Sequence, residues 1–500
     1  MPIDFRNVVN LRNGQFDSTT RAQLDQLFDG CLADGTGKLA VHFHGGLVGE
    51  GDAMALAERL LPEYRQTNVA YPMFFVWESG LLEILRNNVG EILREDFFQI
   101  LLRRALSFVA GKVRQQIVGG RIAAVTPESV SRVRAELDKV ENGDPSWTDL
   151  SGRRLASVSE VSPAEAIQFQ QLLEADPDFM REVALISSSI EPADTAARSR
   201  GMATAGSRKT LISPEVLADV ERERSQGLEG ARGFLPSPRL IRGAVKVAVR
   251  AISRFRNKRD HGFHATVVEE IFREFYVSAV GREVWRQMKQ DTADAFQENA
   301  GVFGGTAFLA RLRELEQEGK APRVTLIGHS AGSEYVCNLL QHAADHLSKS
   351  FTFDVIFLAP ACRIERFAQV LQRHGKRIGN FRCFTMTDEL EQADRLIPVI
   401  YPHSLLYFVS GVLEDEADKP LLGMERYLRG TARHYKKTET GIPTVKTFLA
   451  GGANRLLLSL ADAGPGLATN SVKHGGFDDT SDAAARATID SVRHILKHGF

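Results

Sequence analysis

The stretch RVTLIGHSAGSEYVCNLLQHAADHL, Arg323 to Leu347, holds a short apolar and β-branched run, the pentapeptide Gly328-His329-Ser330-Ala331-Gly332, and a segment with apolar residues at helical spacing. It reads as a strand, a very tight turn and a helix. Such a turn lifts the serine hydroxyl above the end of a sheet in a strained backbone, and the flanking glycines let neighbouring chain approach closely. The serine then stands at a helix amino terminus, where unpaired N–H groups and the helix dipole favour a developing negative charge. A bare G-x-S-x-G match is a weak signal; the strand before it and the helix after it make it specific.

Outward from this element, strand-like runs occur at Lys38–Phe43, Tyr71–Trp77, Phe353–Leu358, Phe381–Thr387 and Thr444–Leu449. Helical spacing fills segments between them, at Asp52–Tyr64, Val267–Ala300, Glu334–His346 and Ala483–Lys497. Strands alternating with helices predict an α/β fold, a mostly parallel sheet with helices on both faces. From Leu81 to Asp260 the alternation stops, and helix-like and irregular sequence follows. The expected organisation is therefore a first part of the core at 1–80, a helical cap or lid insertion at 81–260, mobile in part, and a second part of the core at 261–500.

A chain of 500 residues exceeds what one hydrophobic core usually organises, which fits a core interrupted by a large insertion. Its 43% hydrophobic and 25% charged residues are ordinary for a globular protein and exclude bulk disorder, collagen and coiled coil. Sixty-two basic against sixty-three acidic residues leave a formal charge of -1, so no nucleic-acid partner is expected and any attraction to a membrane must be local. Four cysteines without C-x-x-C spacing suggest neither a zinc site nor a disulfide framework. With no apolar run near Met1, the sequence reads as cytoplasmic. The nearly uncharged stretch Leu396–Leu413 is interrupted by Pro398, Pro402, His403 and Ser404, and reads as a buried strand-to-helix segment.

One local charge cluster stands out. Arg239–Arg259 contains eight basic residues and no acidic one, with Arg239, Arg242, Lys246, Arg250 and Arg254 on one helical face and Ile241, Val245, Val249 and Ile252 opposite. Two readings fit this pattern: peripheral contact with an anionic membrane, or a cap helix whose apolar side packs inward.

With the Ser330 motif in this context, the chain resembles the α/β-hydrolase superfamily, and more specifically its serine esterases and lipases. The resemblance covers roughly Leu39–Gly80 and His261–Phe500. It implies a nucleophile elbow at Ser330 and a catalytic triad in the chain order serine, acid, histidine. Of the downstream histidines, it places the catalytic one at His474, in a Gly-rich loop before the last helix. It implies an acid near the end of the strand Phe381–Thr387, which favours Asp388, with Asp394 in the same TDELEQAD cluster as the reserve. It also implies an oxyanion hole, with amides of Gly46 or Leu47 after the run His44-Gly45-Gly46 and of Ala331 after the nucleophile. The full three-glycine form of that run is absent here.

The implied activity is hydrolysis of a carboxylic ester, small or lipid, through an acyl-enzyme and with no cofactor. The same parts serve amides, peptides and thioesters, and an interaction or membrane-associated protein on a hydrolase scaffold is the alternative from another class. His42 and His44, two apart on a strand, face one way and raise a metal pair, but GGLVGEGD after them lacks further ligands, so no metal is expected. GTGK at Gly35–Lys38 is no phosphate loop, since its glycines precede the strand and Leu39 follows the lysine.

Overall fold

The computed structural model describes residues 7–46, 49–65, 69–77, 88–118, 159–189, 210–227, 236–397, 401–428, 435, 441–481 and 486–500. Its main sheet contains β1 (Val8–Arg12), β2 (Gln15–Phe16), β3 (Lys38–Phe43), β4 (Tyr71–Trp77), β5 (Arg323–His329), β6 (Phe353–Leu358), β7 (Ile378–Thr385) and β8 (Leu456–Leu458), in the order β2-β1-β4-β3-β5-β6-β7-β8. Only the edge hairpin β1–β2 is antiparallel; every other pairing is parallel. Strand β5 therefore lies in the interior, paired to β3 on one side and β6 on the other.

Side chains alternate along each strand and sort the interior into two cores. Leu39, Val41 and Phe43 of β3, Met73 and Phe75 of β4 and Phe353, Val355 and Phe357 of β6 face one core; Ala40, Phe74, Ile356 and Leu358 face the other. The first core is covered by α1 (Arg21–Ala33), by the inserted helices and by helices that follow them. The second is covered by α2 (Glu50–Tyr64) and the terminal helix, which contributes Ile489 and Val492. The structure is thus α/β, a mostly parallel sheet with helices on both faces.

The described part of the insertion is helical: α3 (Asp96–Val118), α4 (Pro163–Glu174), α5 (Pro177–Ser189), α6 (Pro214–Gly227) and α7 (Pro238–Arg256). Across the expected boundary near Asp260, α8 (Phe263–Phe275) packs against both α7 and α3, so the helical layer continues past it. The single helix expected over Val267–Ala300 is two, α8 and α9 (Arg282–Asp294), because Gly281 takes a left-handed conformation between them. Then follow α10 (Gly304–Gln317), α11 (Gly332–His346), α12 (Ile364–His374) and the short α13 (Asp388–Ala393).

The strand expected at Thr444–Leu449 is instead part of helix α14 (Ile442–Ala450). Its start follows Gly441 in a left-handed conformation, and Pro443 occupies the first turn, where a missing N–H costs nothing. Phe448 packs its ring against Phe367 of α12 and Phe381 of β7, and this burial outweighs the β preference of Thr444, Val445 and Thr447. The eighth strand is the Leu-rich triplet Leu456–Leu458, and the last helix is α15 (Arg486–His498). In the 396–413 stretch, Ile397 bridges to Tyr401 and a short helix begins at Leu405. Among the described residues, no helix is long and apolar enough to cross a membrane.

Helix α7 carries the basic run, and the layer supplies carboxylates to it. Arg239 pairs with Asp219 and Glu274, Arg242 with Glu223, Arg250 with Glu274, and Arg254 with Glu269 and Glu270. The buried apolar face is Leu240, Ile241, Ala244, Val247, Ala248, Ala251, Ile252 and Phe255, so of the expected apolar residues Ile241 and Ile252 are buried, whereas Val245 and Val249 are only half-buried. Burial differs sharply along the cationic face: the Arg254 side chain is 8% exposed and that of Arg242 57%. Arg254→Ala leaves two buried carboxylates without their cation and should cost about 3–5 kcal/mol. Arg242→Ala should cost less than about 1 kcal/mol. Urea unfolding of the two variants checks the contrast, and equal losses would refute it.

Candidate functional site

The site forms where β3 and β5 end at one edge of the sheet. Ser330 follows β5 directly with φ at 49°, a left-handed conformation that a non-glycine residue adopts at a cost, and α11 starts two residues later. The turn is held from both sides. The Ser330 N–H donates to the Leu358 carbonyl of β6 at 2.9 Å, and the Ser330 carbonyl accepts the Ala361 N–H at 2.9 Å. At Gly332 a Cβ would run into the Phe43 carbonyl oxygen at the end of β3, so this position accepts only glycine.

His474 reaches the same point from the far end of the chain. It opens a single 3₁₀ turn, His474–Gly476, between the hairpin β9–β10 (Ala461–Asp462, Ala468–Thr469) and α15. Its Nε2 lies 2.9 Å from Ser330 Oγ, a hydrogen bond between the two residues expected to act together. Both are buried, Ser330 to 2% and His474 to 3% exposure. Burial, with the neighbouring His329 charge adding to it, lowers the His474 pKa from 6.5 to about 3, so the ring is neutral.

The carboxylates divide differently from expectation. Asp388 is not brought to His474: its carboxylate accepts the Tyr407 hydroxyl at 2.6 Å and the Gln392 amide at 2.9 Å, at the start of α13. Asp394, at the end of that helix, accepts the His474 backbone N–H at 2.8 Å. The other ring nitrogen of His474, Nδ1, is buried without a hydrogen-bond partner among the described residues. Glu391 is fully buried, bonded to the Ser404 hydroxyl, and burial pushes its carboxyl well above the usual range.

The expected oxyanion donors lie beside the serine in part. A Cβ on Gly46 would collide with Ala331 and Met288, which puts this glycine against the residue after Ser330. Ala331 caps the start of α11, where the Ser333 and Glu334 N–H groups already donate to the Ser330 and Ala331 carbonyls at 3.2 and 2.9 Å. Leu47 lies outside the described residues.

A second layer escaped the sequence reading. Asp478, four residues after His474, is buried at 3% exposure and lies 2.9 Å from His329 Nδ1 and 3.3 Å from His42 Nε2. The Nε2 of His329 meets the His474 carbonyl at 3.1 Å, so both nitrogens of His329 face acceptors and both must donate. Burial opposes that charge, but the Asp478 carboxylate outweighs it and raises the His329 pKa. His329 and Asp478 thus tie the His474 loop to the end of β5. The variable position of the G-x-S-x-G motif and the acid four residues past His474 were the only signals available.

His42 and His44 do not share a face. Strand β3 ends at Phe43, so the alternation does not extend to His44. His42 packs on Tyr64 and Phe74, whereas His44 stacks on Trp77 with centroids 4.0 Å apart. His44 donates from Nδ1 to the Gly45 carbonyl at 2.6 Å and accepts the Trp77 N–H on Nε2 at 3.1 Å, which fixes a neutral ring. Burial lowers its pKa from 6.5 to about 4. Among the described residues, no group of three or more His, Cys, Asp or Glu is arranged to hold a metal ion.

No protein-family model, no curated protein and no solved structure matches the chain.

Two buried neutral imidazoles carry a pH consequence. Below about pH 6.5 the unfolded chain binds protons at His44 and His474 that the folded chain refuses, so stability falls as pH falls. At about pH 5 the loss should reach about 2 kcal/mol from each ring. The urea midpoint should therefore drop between about pH 7 and pH 5, and drop less in His474→Gln. An unchanged midpoint in the parent protein would show that these rings are not held neutral.

Proposed function

We propose that the protein is a serine hydrolase of the α/β-hydrolase type acting on a carboxylic ester, with Ser330 as nucleophile and His474 as the base that activates it. The observation that carries the reading is the 2.9 Å approach of His474 Nε2 to Ser330 Oγ, with the serine in a left-handed turn between a sheet strand and a helix. The Oγ attacks the acyl carbon while its proton passes to Nε2; the tetrahedral oxyanion is met by the Ala331 amide and by an amide of the loop at Gly46. His474 returns the proton to the departing alcohol. Water, deprotonated by the same ring, then releases the acid from Ser330.

For the triad acid, Asp394 is the residue of choice. Its carboxylate already accepts the His474 backbone N–H, and the ring nitrogen left without a partner belongs to that same residue. One carboxylate has two oxygens and can serve both. Asp388 is engaged by Tyr407 and Gln392, and Asp478 by His329 and His42.

Labelling with a fluorophosphonate probe tests the nucleophile directly: the parent protein should be modified at Ser330 and Ser330→Ala should not. Turnover of an activated ester by Ser330→Ala should be about one per cent of the parent or less. Asp394→Asn should lower kcat by about a thousandfold or more, because the imidazole loses control of its tautomer, whereas Asp388→Asn should stay within about tenfold. The reverse order would transfer the role to Asp388, and a probe that labels neither form would end the hydrolase reading.

A further inference from the structure

His474 stands on little regular structure of its own. Its 3₁₀ turn is closed by the bond from the Gly476 N–H to the Lys473 carbonyl at 3.0 Å, and the fully buried Phe477 anchors the turn in the second core. What orients residue 474 itself is the pair of bonds on its main chain. The N–H donates to Asp394 at the end of α13, and the carbonyl accepts from His329 Nε2 at 3.1 Å. The carbonyl bond reaches the residue covalently joined to the nucleophile. Together with the 2.9 Å approach of His474 Nε2 to Ser330 Oγ it closes a ring, so a shift of the turn is felt directly at the reacting pair.

The carbonyl bond depends on Asp478. A neutral imidazole has one N–H. With the hydrogen on Nδ1, the Nε2 lone pair of His329 would oppose the His474 carbonyl; with it on Nε2, the Nδ1 lone pair would oppose the Asp478 carboxylate at 2.9 Å. Only the cation suits both acceptors, and a buried cation needs a negative partner, which Asp478 supplies. The same Asp478 oxygen lies 3.3 Å from His42 Nε2, and the Tyr64 hydroxyl lies 3.3 Å from His42 Nδ1. Asp478 thereby links the ends of β3 and β5 to the turn that carries the base. Gly45 lies against the same group: a Cβ there would stand 3.3 Å from both His329 Nδ1 and Ser330 Cβ.

We propose that Asp478 and His329 are positioning residues for the base: Asp478 keeps His329 an imidazolium, and this cation grips the His474 carbonyl and so holds the ring against Ser330. This rests on the reading of His474 as the base. A charge-assisted bond is roughly twice as strong as a neutral one. The alignment it secures matters because a misplacement of about 1 Å can cost about a hundredfold in rate.

Two readouts test it on the full chain. At about pH 8, where an ordinary imidazole is neutral, NMR of protein labelled at its histidine ring nitrogens should show a ring with both nitrogens protonated that is missing from His329→Gln. In Asp478→Asn that ring should be neutral. For kinetics, active sites are counted by exhaustive fluorophosphonate labelling. Asp478→Asn should lower kcat per labelled site about tenfold and Asp478→Ala about a hundredfold, with KM for an activated ester within about threefold of the parent. His329→Gln, whose amide still offers an uncharged donor, should keep more activity than His329→Leu. A purely structural role would lower the number of labelled sites and leave kcat per site unchanged. Thermal melts establish which variants fold, and the His329 pair decides should the Asp478 pair not fold. The proposal is overturned if the His329 ring is neutral in the parent, or if the folded variants keep the parent's kcat per site. If the parent neither labels nor turns over, the hydrolase reading has failed and the positioning role falls with it; a cationic His329 in that chain would distinguish this failure from the first.

Discussion

Everything at the candidate site depends on how little room there is where β3, β5 and α11 meet. At Gly332 the backbone of the turn touches the Phe43 carbonyl of β3, leaving no space for even one carbon. The amide and carbonyl of Ser330 are both used by the β6 side, through Leu358 and Ala361. A residue clamped in this way has no local freedom to relax its positive φ, so the surrounding sheet fixes the direction of its side chain. The position of the hydroxyl is therefore a property of three parallel strands and of the two cores that hold them flat against their helices. The loops bearing His474 and Gly46 then have a fixed point to pack against.

The parts of this arrangement legible in the sequence are those in which local pattern and tertiary burial agree. Strands β3, β4 and β6 are short, apolar and buried on both faces, and their limits follow from composition alone. Ser330 was legible because its turn has a demanding local chemistry. Thr444–Leu449 was not, since its β-branched residues favour a strand and only the aromatic contact with Phe367 and Phe381 makes it a helix. The acid was ambiguous for another reason. TDELEQAD holds four carboxylates, and sequence does not reveal that Asp388 is held by Tyr407 and Gln392, Glu391 by Ser404 and Asp394 by the His474 backbone. The His329–Asp478 pair joins residues far apart in the chain and leaves no periodic trace.

The basic helix illustrates the same limit in electrostatics. Periodicity reveals that one side of α7 is cationic, but it contains no information on what faces that side. In the folded chain, the opposing carboxylates come from α6 and α8, on either side of α7 in sequence, and the apolar side packs into the common core. Charge that seems to invite an external partner is in large part matched internally.

The two imidazoles beside Ser330 bear on what the proposed base, His474, would need from a carboxylate. Their centroids lie 5.5 Å apart, in a region from which water is excluded, so two positive charges there repel strongly. His329 holds its charge through Asp478, and His474 is the one kept neutral. For Ser330 to act as a nucleophile, His474 must become a cation as it takes the proton. With its pKa lowered from 6.5 to about 3, that step is opposed by several kcal/mol, at about 1.4 kcal/mol for each unit. A carboxylate accepting from Nδ1–H would offset this cost at the moment it arises, and Nδ1 is left without a hydrogen-bond partner among the described residues. The Asp394 carboxylate is already hydrogen-bonded to the backbone of the same residue. Rotation of that carboxylate onto the ring, or of the ring towards it, would supply the missing charge without disturbing the clamped turn.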